Sequence, residues 1–163
     1  VGPGSYTGIR LALSAIRTLG WLQNAPLVPV VSMDVLAVSA APSIKANRPF
    51  ALLLDARRGA MYRCVYEPAV PLAQRTSGPE LVSFDNAAEG LSPQTLIVGE
   101  VAAACGAFRD FDVLAETPTY DPKALGELLL HTETNTVDWK QLTPLYLRKT
   151  SAEELWDKRQ ERG

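Results

Sequence analysis

Residues 1–10 read Val1-Gly2-Pro3-Gly4-Ser5-Tyr6-Thr7-Gly8-Ile9-Arg10, a glycine-rich turn that opens directly into an apolar helical pattern. Such a turn is normally reached from a strand, and only Val1 of that strand is present, so the chain is expected to be a piece of a longer protein. Gly2, Gly4 and Gly8 precede a helix N-terminus, where unpaired N–H groups attract anions. Their spacing, G-x-G-x-x-x-G, is one residue off the dinucleotide fingerprint. No G-K-[ST] follows, so this is no P-loop, and Pro3 stands two before Ser5 where a nucleophile elbow needs glycine. Two readings stay open. The loop cradles a phosphate, or it is a structural turn in which Ser5 or Thr7 caps the helix.

The helix that follows should run over residues 9–22, closed by Gly20 and Asn24-Ala25-Pro26. Ile9, Ala12, Ile16 and Leu19 keep helical spacing and are expected to form its buried side. Leu11, Ala15 and Leu22 lie on a neighbouring side. Arg10, Ser14, Arg17 and Thr18 leave only a narrow polar stripe, so the helix should be covered on more than one side. Leu27 to Val31 reads as a short buried strand, and Ser32 as the N-cap of a helix from Met33 to about Ala41, with Asp34 favourable in its first turn.

Pro42 to Pro49 is polar and proline-bounded, the best internal linker. Phe50–Asp55 and Met61–Glu67 read as a hairpin around Ala56-Arg57-Arg58-Gly59, with Gly59 supplying positive φ. Pro68 to Pro79 reads as loop. Leu81 to Phe84 is expected to be an edge strand, Leu96 to Val98 a strand leading into a helix over Glu100–Phe108, and Val113-Leu114 a weak strand. Asp121-Pro122 should start a helix to about His131. The order predicts an α/β layered domain with a mixed sheet.

Composition narrows the chemistry. The 163 residues include 16 Lys and Arg against 18 Asp and Glu, a net charge of -2, and 47% are apolar. Those values fit a folded globular chain able to bury about 70% of its unfolded surface. A pI near 5.4 argues against strong unaided nucleic-acid binding. No apolar run approaches the ~18 residues that span a bilayer, and the opening does not read as a secretory signal. Cys64 and Cys105 are far apart, which excludes a CxxC site and suits two buried hydrophobes in a reducing cytosol. His131 is the only histidine, so multi-histidine metal sites are excluded and a Ser-His or Cys-His pair must use it.

Two further motifs carry charge. Asp55-Ala56-Arg57-Arg58-Gly59 places a carboxylate at a strand end beside a tight turn, as ATPases do to hold a metal-bound phosphate. Those loops keep small residues so the backbone reaches the nucleotide. Here Arg57 and Arg58 fill the turn and can grip an external phosphate or carboxylate, or Asp55 simply pairs with an arginine on an exposed turn. Pro144-Leu145-Tyr146-Leu147-Arg148 is followed by Ser151 and Glu154 at capping-box spacing, so a charged terminal helix is expected there.

Gly2-Pro3-Gly4-Ser5-Tyr6-Thr7-Gly8-Ile9-Arg10 resembles the GPGSFTGLR signature of the bacterial TsaB (YeaZ) family. Pro29 to Ala37, Asp55 to Gly59 with Met61-Tyr62, and the Pro144 to Arg148 box match that family in kind and order. The resemblance covers essentially the whole chain; family members begin with several dozen more residues. It implies an actin-like ATPase (ASKHA) fold of α/β class: a mixed sheet with flanking helices, a partial N-terminal lobe over 1–43 and a complete C-terminal lobe with a tail over 44–163.

The resemblance also implies a function. Family members act in making threonylcarbamoyladenosine at position 37 of tRNAs that read ANN codons. The implied role is a non-catalytic scaffold in the cytoplasm that pairs with TsaD and works with the ATPase TsaE. ATP and metal sit on those partners, tRNA is reached through the complex, and a homodimer is the other pairing expected. The loop Gly2, Gly4, Ser5, Thr7, Gly8 and the helix from Ile9 belong to the pairing surface, and Leu11, Ala15 and Leu22 are assigned to the partner. The rival reading is a nucleotide-dependent kinase or ATPase using the glycine loop and Asp55. The chain has no Lys in either glycine loop, and arginines in the phosphate turn oppose autonomous use of ATP. A peptidase is a third reading, opposed by the missing nucleophile motif.

Overall fold

The computed structural model describes residues 1–44, 48–69, 72–133 and 135–148. Its frame is a five-stranded mixed sheet of order β3-β2-β1-β4-β5. The strands are β1 (Phe50–Asp55), β2 (Ala60–Glu67), β3 (Gln74–Ser83), β4 (Leu96–Val98) and β5 (Val113–Leu114). β1 pairs antiparallel with β2, from Phe50 opposite Tyr66 to Asp55 opposite Met61, and parallel with β4. The mixed sheet and its central hairpin are as the sequence predicts.

β1 is apolar on both of its faces because both are covered. Phe50 and Leu52 point toward α2 (Ser32–Ala40) and pack with Met33, Leu36, Cys64 and Tyr66. Ala51 and Leu53 point the other way, onto Met61, Ile97, Ala102 and Phe108. α3 (Pro122–His131) lies outside α2 and closes a smaller cluster of Val35, Val38 and Ala124. Close approach is needed where β4 ends. Gly99 has φ +133, and a Cβ there would stand 2.4 Å from the Leu53 carbonyl oxygen.

α1 (Tyr6–Gln23) begins earlier than its apolar pattern, because Ser5 is its N-cap and accepts a hydrogen bond from the Gly8 amide at 3.4 Å. Asn24, in the left-handed region at φ +48, ends it as expected. The apolar spacing misplaced the buried side. Ala12, Ile16 and Leu19 are exposed, and it is Ile9, Leu13 and Arg17 that are half-buried and Gly20 that is buried. Gly20 does not help to close the helix but lies buried inside it, where a Cβ would stand 3.1 Å from Leu27 Cδ1.

Other expectations are corrected by local chemistry. Leu27 to Val31 is no strand: two isolated bridges, Leu27 with Val137 and Gly2 with Val31, flank Pro29, which has no N–H to give a ladder. Val31, with no side-chain bond, is the N-cap of α2, and Ser32 is its first residue. The expected helix over 100–108 is two 3₁₀ turns, Glu100–Ala104 and Gly106–Phe108, interrupted by extended Cys105. β3 is far longer than Leu81–Phe84 and takes in much of the expected loop, with register shifts opposite Arg63–Tyr66. It is an edge strand, where Pro79 is tolerated. The terminal helix expected from Ser151 lies outside the described residues.

Candidate functional site

Three stretches that are far apart in sequence meet around one cleft of about 650 Å³. Gly4, Ser5 and Tyr6 form one wall, the β1–β2 turn with Asp55, Arg57 and Arg58 a second, and Leu145 to Arg148 a third. Leu54 and Tyr62 from the sheet also line it.

The glycine wall is fixed by its backbone. The Gly2 carbonyl accepts from the Ser32 amide and the Val1 carbonyl from the Leu145 amide, both at 2.9 Å. Gly2 has φ +114, and a Cβ on it would meet Ile9 Cδ1 at 2.9 Å and the Leu145 carbonyl oxygen at 3.1 Å. Gly4, Ser5, Thr7 and Gly8 are exposed. Because the Ser5 hydroxyl takes the Gly8 amide, part of the loop's donor set is already engaged in capping the helix.

The arginine turn is built on Asp55. Its carboxylate accepts from the Arg57 amide at 2.7 Å and meets the Arg57 guanidinium at 3.1 Å. Arg57, Arg58 and Gly59 all lie in the left-handed region, at φ +65, +54 and +69. Two non-glycine residues held there store strain that the surrounding hydrogen bonds must offset. Arg148 supplies some of them, its Nη1 donating to the Ala56 and Arg57 carbonyls. The Tyr6 and Tyr146 rings stack with centroids 4.9 Å apart and join the helix start to the third wall. Arg57, Arg58 and Arg148 thus line the cleft beside Asp55, whose carboxylate is paired with Arg57. The arrangement suits an anion such as a phosphate or carboxylate. Among the described residues no three His, Cys, Asp or Glu come together to hold a metal ion.

The second feature is the outer face of α1. Leu11, Ala15 and Leu22 are exposed, with Leu11 at 68% and Leu22 at 65%. Leu19 and Ile16 join them at 51% and 41%, so the apolar face is wider than the three residues assigned from spacing. The opposite edge was missed. Arg17 Nε donates to the Trp139 carbonyl at 2.9 Å, and Trp21 meets the Trp139 ring at 6.5 Å. The signal was present as Tyr6, Arg10, Arg17 and Trp21, which recur on one side of a helix.

Cys64, Tyr66 and Arg63, all buried in the sheet, are not among the residues that line the cleft. Burial pushes the Cys64 thiol up to about 12 and holds the Tyr66 phenol far above its ordinary range. Tyr66 donates to Asp34 at 3.0 Å, and Arg75 donates to the same oxygen at 2.9 Å. Arg63, almost fully buried, binds Glu80 and the carbonyls of Ala87 and Glu89. No helix among the described residues is long and apolar enough to cross a membrane.

Against known proteins, a family model described as TsaD, tRNA N6-adenosine threonylcarbamoyltransferase, matches residues 1–127. The tRNA threonylcarbamoyladenosine biosynthesis protein TsaB of Bacillus subtilis (strain 168) is 27% identical over 164 residues, covering 95% of this chain and 70% of that protein. Among solved structures, a Pseudomonas aeruginosa protein described as similar to peptidase YEAZ aligns with a TM-score of 0.74 at 21% identity, over 90% of this chain and 70% of that one. YeaZ from the same organism aligns with a TM-score of 0.73 at 20% identity, over 89% and 71% of the two chains. At those identities the structures speak for the fold alone, an α/β mixed sheet with flanking helices; the actin-like ATPase fold is consistent with the TsaD-type match.

Proposed function

Since the chain belongs to the TsaD-type tRNA N6-adenosine threonylcarbamoyltransferase family, and within it to the TsaB (YeaZ) group, we propose that it is a non-catalytic, partner-binding subunit in tRNA threonylcarbamoyladenosine synthesis. It pairs with TsaD and works with TsaE, and it reaches tRNA through that complex. ATP and metal belong to the partners.

The observation that carries the reading is the outer face of α1. Leu11, Leu19 and Leu22 are more than half exposed, while Ile9, Leu13 and Arg17 on the other side of α1 are half-buried and Gly20 is buried. Exposed apolar residues in a contiguous patch mark an interaction surface. Small Ala15 in their midst permits close approach of a facing helix. Burying Leu11 and Leu22 contributes roughly 3–6 kcal/mol before ordering costs. The β1–β2 turn supports the same reading, because Arg57 and Arg58 stand where loops that hold a nucleotide's phosphates keep small residues.

The test is Leu11→Glu. A charge there strands an unpaired ion in the interface and abolishes co-purification with TsaD. Circular dichroism should be unchanged, since Leu11 touches solvent in the free chain. Intact pairing overturns the assignment, and so does lost pairing together with lost helix content. Phosphate release from ATP and Mg²⁺ by the chain alone, disappearing in Asp55→Ala, favours the kinase or ATPase reading instead.

A further inference from the structure

α1 is fastened differently from α2 and α3. None of its residues belongs to the three apolar clusters that join those helices and the sheet. Besides the Gly2–Ser32 bond and the Gly20–Leu27 contact, its ties run to the last described segment, residues 135–148. That segment passes α1 in the opposite direction. Leu27, just beyond the helix, exchanges both backbone hydrogen bonds with Val137, at 2.9 and 2.7 Å. Trp139 comes next, its carbonyl taken by Arg17 and its ring met by Trp21. At the start of the helix the Leu145 amide donates to the Val1 carbonyl, and the Tyr146 ring stacks on Tyr6. Gly2 allows this approach, since a Cβ there would stand 3.1 Å from the Leu145 carbonyl oxygen.

Two residues past Tyr146 the segment reaches the sheet. A single nitrogen of Arg148, Nη1, donates to both the Ala56 and the Arg57 carbonyls. Bonds from a charged donor are about twice as strong as neutral ones. The turn they reach is a stiff anchor. The Ala56 amide donates to the Ala60 carbonyl at 3.0 Å, and the Ala60 amide to the Arg57 carbonyl at 3.2 Å. Asp55 braces it from within by accepting the Arg57 amide at 2.7 Å. The segment is therefore made fast at the β1–β2 turn and at Leu27, with α1 held between. A helix with so little apolar burial depends on such ties for its seating, and its local opening should be governed by them.

We propose that residues 135–148 are a strap that seats α1 for its partner, with Arg148 as the latch. Arg148 is then a positioning residue for pairing, although it bonds to the β1–β2 turn and not to the Leu11–Leu22 face. A helix seated beforehand is already in its binding conformation, so pairing carries less of the cost of ordering it. The strap also ties the pairing face to the cleft. Whatever draws the Arg148 guanidinium off the two carbonyls slackens the start of α1. The binding part of this inference rests on the reading of α1 as the face that meets TsaD; the seating of the helix in the free chain does not.

The experiment uses the full chain and two readouts, hydrogen–deuterium exchange of the free protein and affinity for TsaD by calorimetry. Arg148→Met should speed exchange at Ile9–Leu13, the first amides the helix itself protects, about ten-fold. The β1–β2 ladder should stay within about two-fold of the parent. Affinity for TsaD should fall about five-fold. Arg148→Lys should restore both, because one ammonium can donate to the two carbonyls that one guanidinium nitrogen now serves. Tyr146→Ala should repeat the Arg148→Met signature. The double variant should be no worse than the worse single, since the two residues act in series; independent effects would multiply. Unchanged exchange in α1, an equal rise in the β1–β2 ladder, failure of lysine to rescue, or multiplied effects in the double variant overturns the proposal. Leu11→Glu separates it from the reading beneath it and should lose TsaD with α1 exchanging as in the parent. If Leu11→Glu keeps TsaD while Arg148→Met still loosens α1, the pairing face is wrong and the strap stands. If Leu11→Glu loses TsaD and Arg148→Met leaves TsaD affinity unchanged, the strap's role in pairing falls alone.

Discussion

The sheet and the first helix solve the same problem, what to do with apolar surface, in opposite ways. β1 has two apolar faces and both are covered from within the chain, by α2 on one side and by the 3₁₀ turns on the other. α1 is nearly as apolar, yet only Ile9, Leu13 and Gly20 among its apolar residues are half-buried or buried while three leucines stand exposed. Its attachments run along its ends and one edge: the Gly2–Ser32 bond, the Gly20–Leu27 contact and the Arg17–Trp139 bond. The difference teaches that apolar content alone does not locate a core. A residue's neighbours decide whether it stabilises the free fold or waits for a partner.

The contrast is broken most forcefully by truncating matched leucines. Leu53→Ala removes a fully buried side chain and should cost about 3–5 kcal/mol in urea unfolding. Leu19→Ala on α1 should cost less than about 1 kcal/mol, because half of that side chain is already in water. Equal costs would mean that α1 is buried in the free chain.

Asp34→Ala probes how α2 is fastened to the sheet. It removes an acceptor shared by Tyr66 and Arg75, which should cost about 2–3 kcal/mol by the same measurement. A loss below about 0.5 kcal/mol would show that water replaces it and that α2 is held by packing alone.

pH sharpens the comparison within the sheet. Burial raises both Cys64 and Tyr66, so each binds its proton more tightly folded than unfolded. Their contribution is fully present below the ordinary thiol value of 9.0 and is lost as pH climbs toward about 12. Stability should therefore fall above about pH 9, by up to about 1.4 kcal/mol per pH unit per group. Cys64→Ala should flatten part of that slope, and a profile unchanged by the substitution would remove Cys64 from the account.

The smallest effect on folding is expected at the pairing face. Leu11→Glu should leave unfolding within about 0.5 kcal/mol of the parent. A larger loss would place Leu11 in a packed environment.

What could be read beforehand follows the same division. The β1–β2 hairpin was legible because Phe50–Asp55 and Met61–Glu67 bracket a turn with Gly59, all local signals. The convergence of the glycine loop, the arginine turn and the Pro144–Arg148 box was legible only as motifs in order; their meeting at one cleft is long-range geometry. The strand expected at Leu27–Val31 failed at Pro29, which has no N–H for a ladder, and the helix expected over 100–108 is two 3₁₀ turns on either side of extended Cys105. The buried side of α1 was misread because residues all around the helix are apolar. Periodicity then names no face, and Arg17 was set aside as polar although its bond to Trp139 marks the packed edge.

The account turns on whether α1 displays its leucines for TsaD. Hydrogen–deuterium exchange on the full chain, alone and with excess TsaD, measures this directly. Amides of Tyr6–Gln23 should gain protection on pairing, while β1 and β2, already covered, should exchange as before. Protection that rises on α3 and leaves Tyr6–Gln23 unchanged would contradict it.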